Sequence, residues 1–152
     1  MDCPKVTIGI PTYNQANLLA CTIESALAQD YPNLEVIVAD DASTDETPRA
    51  VAPFLGDPRL KYRRNPQNLG RVANYRNTLY EHATGEWYLN LDGDDYLVDP
   101  RFLSDSLEAL PRYPGTVLIT WGALTLDHGR CWYGRPTLEE WEYRDGIEFF
   151  LE

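Results

Sequence analysis

Three short apolar runs, Val6 to Ile10, Leu34 to Ala39 and Glu86 to Leu91, each break off into a polar turn, and the stretches between them carry helical spacing. Runs of this length, rich in β-branched and aliphatic residues, read as buried strands. Their alternation with helices through short turns predicts an α/β fold, a mostly parallel sheet flanked by helices. Crossovers of that kind are right-handed, so the strands point the same way. The first helix is expected over about Gln15 to Gln29, capped by Asn14, burying Leu18, Leu19, Ile23, Ala26 and Leu27, with Cys21 as a small core hydrophobe. A second, capped by Ser43 or Thr44 with help from Glu46, runs past Pro48 to about Leu55. Arg59 to Tyr62 is a short charged strand, hence near a sheet edge. A third helix spans about Gly70 to Ala83 with Val72, Tyr75 and Leu79 as its apolar stripe. A fourth spans about Pro100 to Leu110. Next come a strand over Thr116 to Trp121, a short strand near Cys131 and a helix from about Arg144. With no repeat, low-complexity tract or linker, residues 1–152 read as one domain.

Composition narrows the partners. The chain carries 24 acidic against 13 basic residues, a net charge of −11, which disfavours nonspecific nucleic-acid binding. Ten Tyr and four Trp among repeated apolar runs exclude a disordered chain. No stretch approaches the length of a membrane span, and MDCPK lacks the flanks of a signal peptide. Cys3, Cys21 and Cys131, odd in number and irregularly spaced, read as free thiols of a reducing, cytoplasmic compartment. Trp121, Trp132 and Trp141 read as core or interface residues.

The charge is segregated. Arg59 to Tyr80 holds six basic residues and no acid; Glu81 to Glu108 holds eight acids and one Arg. In open parallel sheets, ligands bind beyond the carboxyl ends of the strands, where strand order reverses. Those ends are Pro11-Thr12-Tyr13-Asn14, Asp40-Asp41 and Asp92-Gly93-Asp94-Asp95. Asp and Asn also suit turns and caps, but three carboxylates within four residues repel one another unless a cation or proton is present. The dinucleotide fingerprint and the Walker loop are absent, no His or Cys pair has zinc spacing, and an EF-hand from Asp92 fails at Leu97 and Leu103. The oxygen-only set Asp92, Asp94 and Asp95 suits Mg²⁺ or Mn²⁺ shared with a substrate phosphate.

The motifs Val6-Thr-Ile-Gly-Ile-Pro-Thr-Tyr-Asn14, Ser25-Ala-Leu-Ala-Gln29, Tyr31-Pro32, Glu35-Val-Ile-Val-Ala-Asp-Asp-Ala-Ser-Thr-Asp45, Asn68-Leu-Gly70, Arg76-Asn77 and Leu91-Asp-Gly-Asp-Asp95 resemble those of the family 2 glycosyltransferases. The resemblance runs from about residue 5 to 110. It implies the GT-A fold and an inverting, nucleotide-sugar-dependent transfer to an acceptor hydroxyl on a glycan, lipid or other molecule. Residues 1–110 would then be the nucleotide-sugar-binding half and 111–152 the start of an acceptor-side region. By the same resemblance, Pro11, Thr12, Tyr13 and Asn14 line the nucleotide pocket, with Tyr13 against the base. Asp40 or Asp41, with Asp41 favoured, meets a base expected to be uracil. Asn68, Gly70, Arg71 and Arg76 face the diphosphate. Asp92-Gly93-Asp94 is the DXD motif, with Asp92 toward the ribose, Asp94 on the metal and Asp95 extending the cluster. Tyr75 stands where the family usually has a small residue.

The chemistry implied is loss of a nucleoside diphosphate, its charge stabilised by the metal and by Arg76. A carboxylate general base is also required, and in the family it lies well beyond the DXD. Glu139, Glu140 and Asp145 are the candidates, and Leu138-Glu-Glu-Trp141 resembles that motif faintly. The expectation is therefore the donor-binding part of a larger transferase. A nucleotide-binding module without turnover and a sugar-phosphate nucleotidyltransferase are the alternatives. The latter is disfavoured because no Gly-rich basic loop follows the first strand.

Overall fold

The computed structural model of the chain describes residues 3–112, 114–116, 124–127 and 130–133. The chain divides into two compact units, Met1–Ser104 and Asp105–Glu152. The first holds a four-stranded sheet of β1 (Val6–Thr12), β2 (Leu34–Asp40), β3 (Leu60–Arg64) and β4 (Trp87–Asn90). Its order is β3-β2-β1-β4 and every pairing is parallel. The charged third strand lies at the edge, as its composition predicts. The helices α1 (Ala16–Leu27), α2 (Thr47–Val51) and α3 (Arg71–Asn77) fill the crossovers, and a π-helical turn, Thr78–His82, extends α3. α4 (Phe102–Ala109) begins at the end of this unit. The second unit carries an antiparallel hairpin, β5 (Leu124–Asp127) and β6 (Arg130–Tyr133), which supplies the strand expected near Cys131. The strand expected over Thr116 to Trp121, beyond its first residue, and the helix expected from Arg144 lie outside the described residues, as do Trp121 and Trp141. Among the described residues no helix is long and apolar enough to cross a membrane.

Alternation sorts the strands into two faces. Ile8, Ile10, Val36 and Val38 share one face and are fully buried. This face receives α1, whose buried residues are Leu19, Thr22, Ile23 and Ala26. Leu18, expected inside, is 51% exposed, and Cys21 is exposed as well. The buried stripe is narrow, running through Leu19, Thr22, Ile23 and Ala26, and leaves Leu18 and Cys21 on its flanks. The other face carries Thr7, Gly9, Glu35 and Ile37, and the right-handed return from β3 to β4 lays α3 over it. Pro11 is tolerated in this central strand for a geometric reason. Backbone groups of odd-numbered β1 residues point toward β4, but that ladder stops at Gly9 and Asn90. The missing N–H of Pro11 therefore has no ladder partner to lose.

Two caps differ from expectation, for one reason. Asn14 does not cap α1. It takes a left-handed conformation, φ 55°, and its Oδ1 accepts the Thr44 N–H at 2.8 Å. Ser43 does not cap α2, because its Oγ accepts the Asn14 N–H at 3.0 Å. Asp45 serves both helices. Its Oδ2 accepts the Ala16 N–H at 3.1 Å, and its Oδ1 accepts the Thr47 N–H at 3.0 Å. Burial opposes ionisation of Asp45, but hydrogen bonds from Thr47 and Ala16 outweigh it and hold its pKa below the usual carboxylate range.

α3 is inverted relative to its hydrophobic pattern. Val72 is 71% exposed and Leu79 is exposed, whereas Asn74 and Thr78 are buried. Asn74 belongs underneath because its amide completes the sheet's polar end. Its Nδ2 donates to the Ala39 carbonyl at 2.8 Å, and its Oδ1 accepts from Asn65 at 3.0 Å.

Candidate active site

The carboxyl ends of β1, β2 and β4 and the start of α3 surround a cleft of about 470 Å³. It opens where the sheet's strand order turns back from β3 to β4. Among the residues expected at the site, Pro11, Thr12, Tyr13, Asp41, Asn68, Gly70, Arg71, Asp92 and Asp94 line it. Gln15, Asn74 and Tyr75 also line it; none of the three is singled out by the motifs, although Asn74 and Tyr75 lie on the helix expected to face the diphosphate. Asn14, Asp40, Arg76, Gly93 and Asp95 are not in the lining.

Each exclusion has a cause. Neighbouring residues at a strand end face opposite ways, so Asp40 and Asp41 do not share a ligand. Asp40 is fully buried. Its Oδ1 accepts the Ser43 N–H at 2.7 Å; its Oδ2 accepts the Tyr62 hydroxyl at 2.6 Å and pairs with Arg64 at 3.3 Å. Burial, and then the Asp40 carboxylate, raise the Tyr62 pKa, so the phenol stays a donor. Arg76 lies five residues beyond Arg71, about 140° around the helix at 3.6 residues per turn. Its guanidinium rests over the Tyr80 ring, 5.7 Å from the centroid, beside Ala73 and Asn77. Arg71 is the arginine that meets the cleft.

Asp41 organises the cleft wall. Its Oδ1 accepts from Asn65 Nδ2 at 2.9 Å and the Leu69 N–H at 2.8 Å, and its Oδ2 accepts the Gly70 N–H at 2.9 Å. The Asn68-Leu69-Gly70 turn is thereby hung on one buried carboxylate. Gly70 ends that turn at φ 85°, ψ 155°, a conformation open only to glycine. Tyr13, 46% exposed, presents its side chain to the same cleft.

The Asp92-Gly93-Asp94-Asp95 turn closes with the Asp95 N–H on the Asp92 carbonyl at 2.9 Å. Gly93 lies under it, its carbonyl accepting the Thr22 hydroxyl at 3.1 Å. A Cβ on Gly93 would stand 2.6 Å from Gln15 Oε1 and 2.9 Å from Thr12 Oγ1. Gly93→Ala is therefore expected to destabilise the fold by about 1–3 kcal/mol, measured by urea unfolding.

The three aspartates do not act as one cluster. Asp92 Oδ1 accepts the Tyr75 hydroxyl at 2.5 Å and Asn90 Nδ2 at 2.8 Å, and its Oδ2 meets Arg71 Nη2 at 3.3 Å. Asp95 is outside the lining; burial, and then the charges of Asp94 and Asp92, raise its pKa. Asp94 is exposed and, among the described residues, accepts no hydrogen bond. Among the described residues no three of His, Cys, Asp or Glu are grouped to hold a metal. This donor set fits an ion carried jointly by Asp94 and a ligand's phosphate oxygens, and does not fit an all-protein cage.

A family model for Glycosyl transferase family 2 matches residues 7–145. The chain belongs to this family. This family 2 chain is 37% identical over 126 residues to the putative glycosyltransferase EpsE of Bacillus subtilis, a match covering 82% of the chain and 45% of EpsE. It is 40% identical over 93 residues to the putative colanic acid biosynthesis glycosyl transferase WcaA of Escherichia coli, covering 60% of the chain and 33% of WcaA. Among solved structures it is similar to Staphylococcus aureus TarS 1-349 in complex with UDP-GlcNAc, with TM-score 0.65 and 32% identity over 72% of the chain and 32% of that one. It is likewise similar to the mannosyltransferase PcManGT from Pyrobaculum calidifontis in complex with GDP-Man and Mn²⁺, with TM-score 0.64 and 35% identity over 71% and 32%. The fold is that of the GT-A glycosyltransferases. The chain spans less than half the length of these relatives.

Proposed function

We propose that this family 2 chain binds a nucleoside-diphospho-sugar, with UDP as the favoured nucleotide, and serves an inverting transfer of the sugar to an acceptor hydroxyl. The observation that supports this most is the pairing of an unengaged carboxylate, Asp94, with an exposed guanidinium, Arg71, in one cleft at the sheet's switch point. A diphosphate and a divalent ion complement that pair of charges. Asp94 would hold the ion, Mn²⁺ or Mg²⁺, together with the diphosphate. When bound, such an ion supplies Lewis-acid stabilisation of charge on the leaving group.

The remaining roles belong to the chain's own atoms. Tyr13 offers a ring for the base. Asp41 keeps one lone pair on Oδ2 after its three hydrogen bonds, enough for a base N–H. The Asn68-Leu69-Gly70 turn holds backbone close to the phosphates. Arg71, preorganised at the helix start, adds fixed positive charge where the leaving group gathers negative charge. Glu139, Glu140 and Asp145, the candidates for general base, lie outside the described residues.

Calorimetry with UDP, GDP and dTDP, each with and without Mn²⁺, tests the reading. UDP is expected to bind, and to bind more tightly with the metal. No binding of any of the three would end it. Binding with no hydrolysis or transfer from UDP-sugars would leave only the nucleotide-binding part. The geometry also separates the two arginines of α3. Arg71→Ala is expected to weaken UDP at least about tenfold relative to uridine, while Arg76→Ala leaves that ratio unchanged. Equilibrium titration of both ligands checks it, and the reverse pattern would return Arg76 to the diphosphate.

A further inference from the structure

The family 2 reading gives Tyr75 no task, yet with Arg71 it joins the two walls of the cleft. It projects from α3 one residue beyond Asn74, whose amide pins that turn of the helix to the end of β2. From there its hydroxyl donates to Asp92 Oδ1 at 2.5 Å, at the end of β4. Arg71 lies over its ring, 5.4 Å from the centroid, and Arg71 Nε also donates to the phenolic oxygen at 3.2 Å. A carboxylate offers about four acceptor positions. Tyr75 and Asn90 occupy both on Oδ1, and Arg71 occupies one on Oδ2.

We propose that Tyr75 is a positioning residue that fixes the Asp92 carboxylate so that one Oδ2 lone pair faces the cleft, aimed at a sugar hydroxyl of the bound nucleotide. This rests on the nucleotide-binding reading above and adds to it the group that orients Asp92. The three donors differ in how firmly they are held. Arg71 is 76% exposed and makes the longest contact, so it is the donor free to turn to an incoming diphosphate. Tyr75 is half-buried and Asn90 stands at the strand end, so both remain. Tyr75 thus holds Asp92 compensated and oriented after Arg71 has left it.

The test uses the full chain with Mn²⁺, in wild-type form and as Tyr75→Phe, Asp92→Asn and the double variant. Each is titrated with UDP and with its 2′,3′-dideoxy analogue. Tyr75→Phe keeps the ring under Arg71 and removes only the hydroxyl. Wild type is expected to prefer UDP by about tenfold, the worth of a hydrogen bond to a charged group. Tyr75→Phe is expected to cut that preference to about threefold or less, with binding of the dideoxy analogue unchanged. Adding it to Asp92→Asn is expected to lose nothing more. An equal loss for both ligands would make Tyr75 merely structural and overturn the proposal, as would a full preference retained in Tyr75→Phe. Wild type that binds UDP and its analogue equally would overturn it while leaving the nucleotide-binding reading intact. Wild type that binds neither would overturn both.

Discussion

Asp94→Asn is expected to weaken UDP by about 100-fold in Mn²⁺ and to leave its affinity in EDTA nearly unchanged. The magnitude follows from removing the one cleft carboxylate left unengaged among the described residues. Changes to groups that merely support a metal ligand already cost about 10–100-fold, and this change removes the ligand's charge itself. Parallel titrations in Mn²⁺ and EDTA give the ratio directly. The neighbouring aspartates serve as internal comparisons. Asp95→Asn should change the ratio little, because Asp95 is outside the cleft lining. Asp92→Asn should weaken UDP in both buffers, because its partners are Tyr75, Asn90 and Arg71. Equal loss from Asp94→Asn in both buffers would take Asp94 off the metal.

The second large effect is expected at the opposite end of the sheet and concerns stability. Glu35, at the start of β2, is 2% exposed. It accepts the Thr7 hydroxyl at 3.0 Å, the Thr84 N–H at 3.1 Å and the Thr84 hydroxyl at 2.9 Å, and it pairs with Lys61 and with Lys5. Burial pushes its pKa up, but hydrogen bonds from Lys61, Thr84 and Thr7 outweigh it and hold the pKa at about 2. The folded pKa is thus below the unfolded value of about 4.3. The stabilisation is therefore fully present above that value and is lost as pH falls toward about 2. A shift of this size corresponds to about 3 kcal/mol. Glu35→Gln is expected to lower unfolding free energy by about that amount at neutral pH, and the gap should close as the buffer approaches pH 2. Urea unfolding of both proteins across that range measures it. A gap independent of pH would mean that packing, and not ionisation, sets the contribution of Glu35.

The parallel sheet was legible because its strands are uninterrupted apolar runs, and an edge strand announced itself by its charge. The position of the cleft was legible too, since polar residues ended the three strands that meet there. What the residues did not disclose was direction. α3 reads as burying Val72 and Leu79, because hydrophobic periodicity assumes an apolar underside. Its underside is Asn74 and Thr78, held by hydrogen bonds to the Ala39 carbonyl and to the helix's own Asn74 carbonyl. The spacing of that pair, four residues apart, was the available signal. The family motif points Arg76 at the diphosphate, whereas five residues beyond Arg71 put it about 140° around the helix and away from the cleft. The double service of Asp45 was not legible, because it depends on two helix starts, 31 residues apart in sequence, meeting in space.

The stitching of the turns after β1 and β2 bears on how such chains can be recombined. Asn14 and Ala42 both adopt left-handed backbone, and Asn14, Ser43 and Thr44 trade hydrogen bonds across the gap. A chimaera that imports residues 11–16 with another residue at position 14 while keeping 41–47 would leave the Thr44 amide without its acceptor, and one that imports 41–47 without Asp45 would do the same to the Ala16 amide. Shuffling libraries with breakpoints between these segments should therefore be depleted in folded members, whereas exchanging both together should preserve them. In this architecture the two turns are inherited as a single cassette.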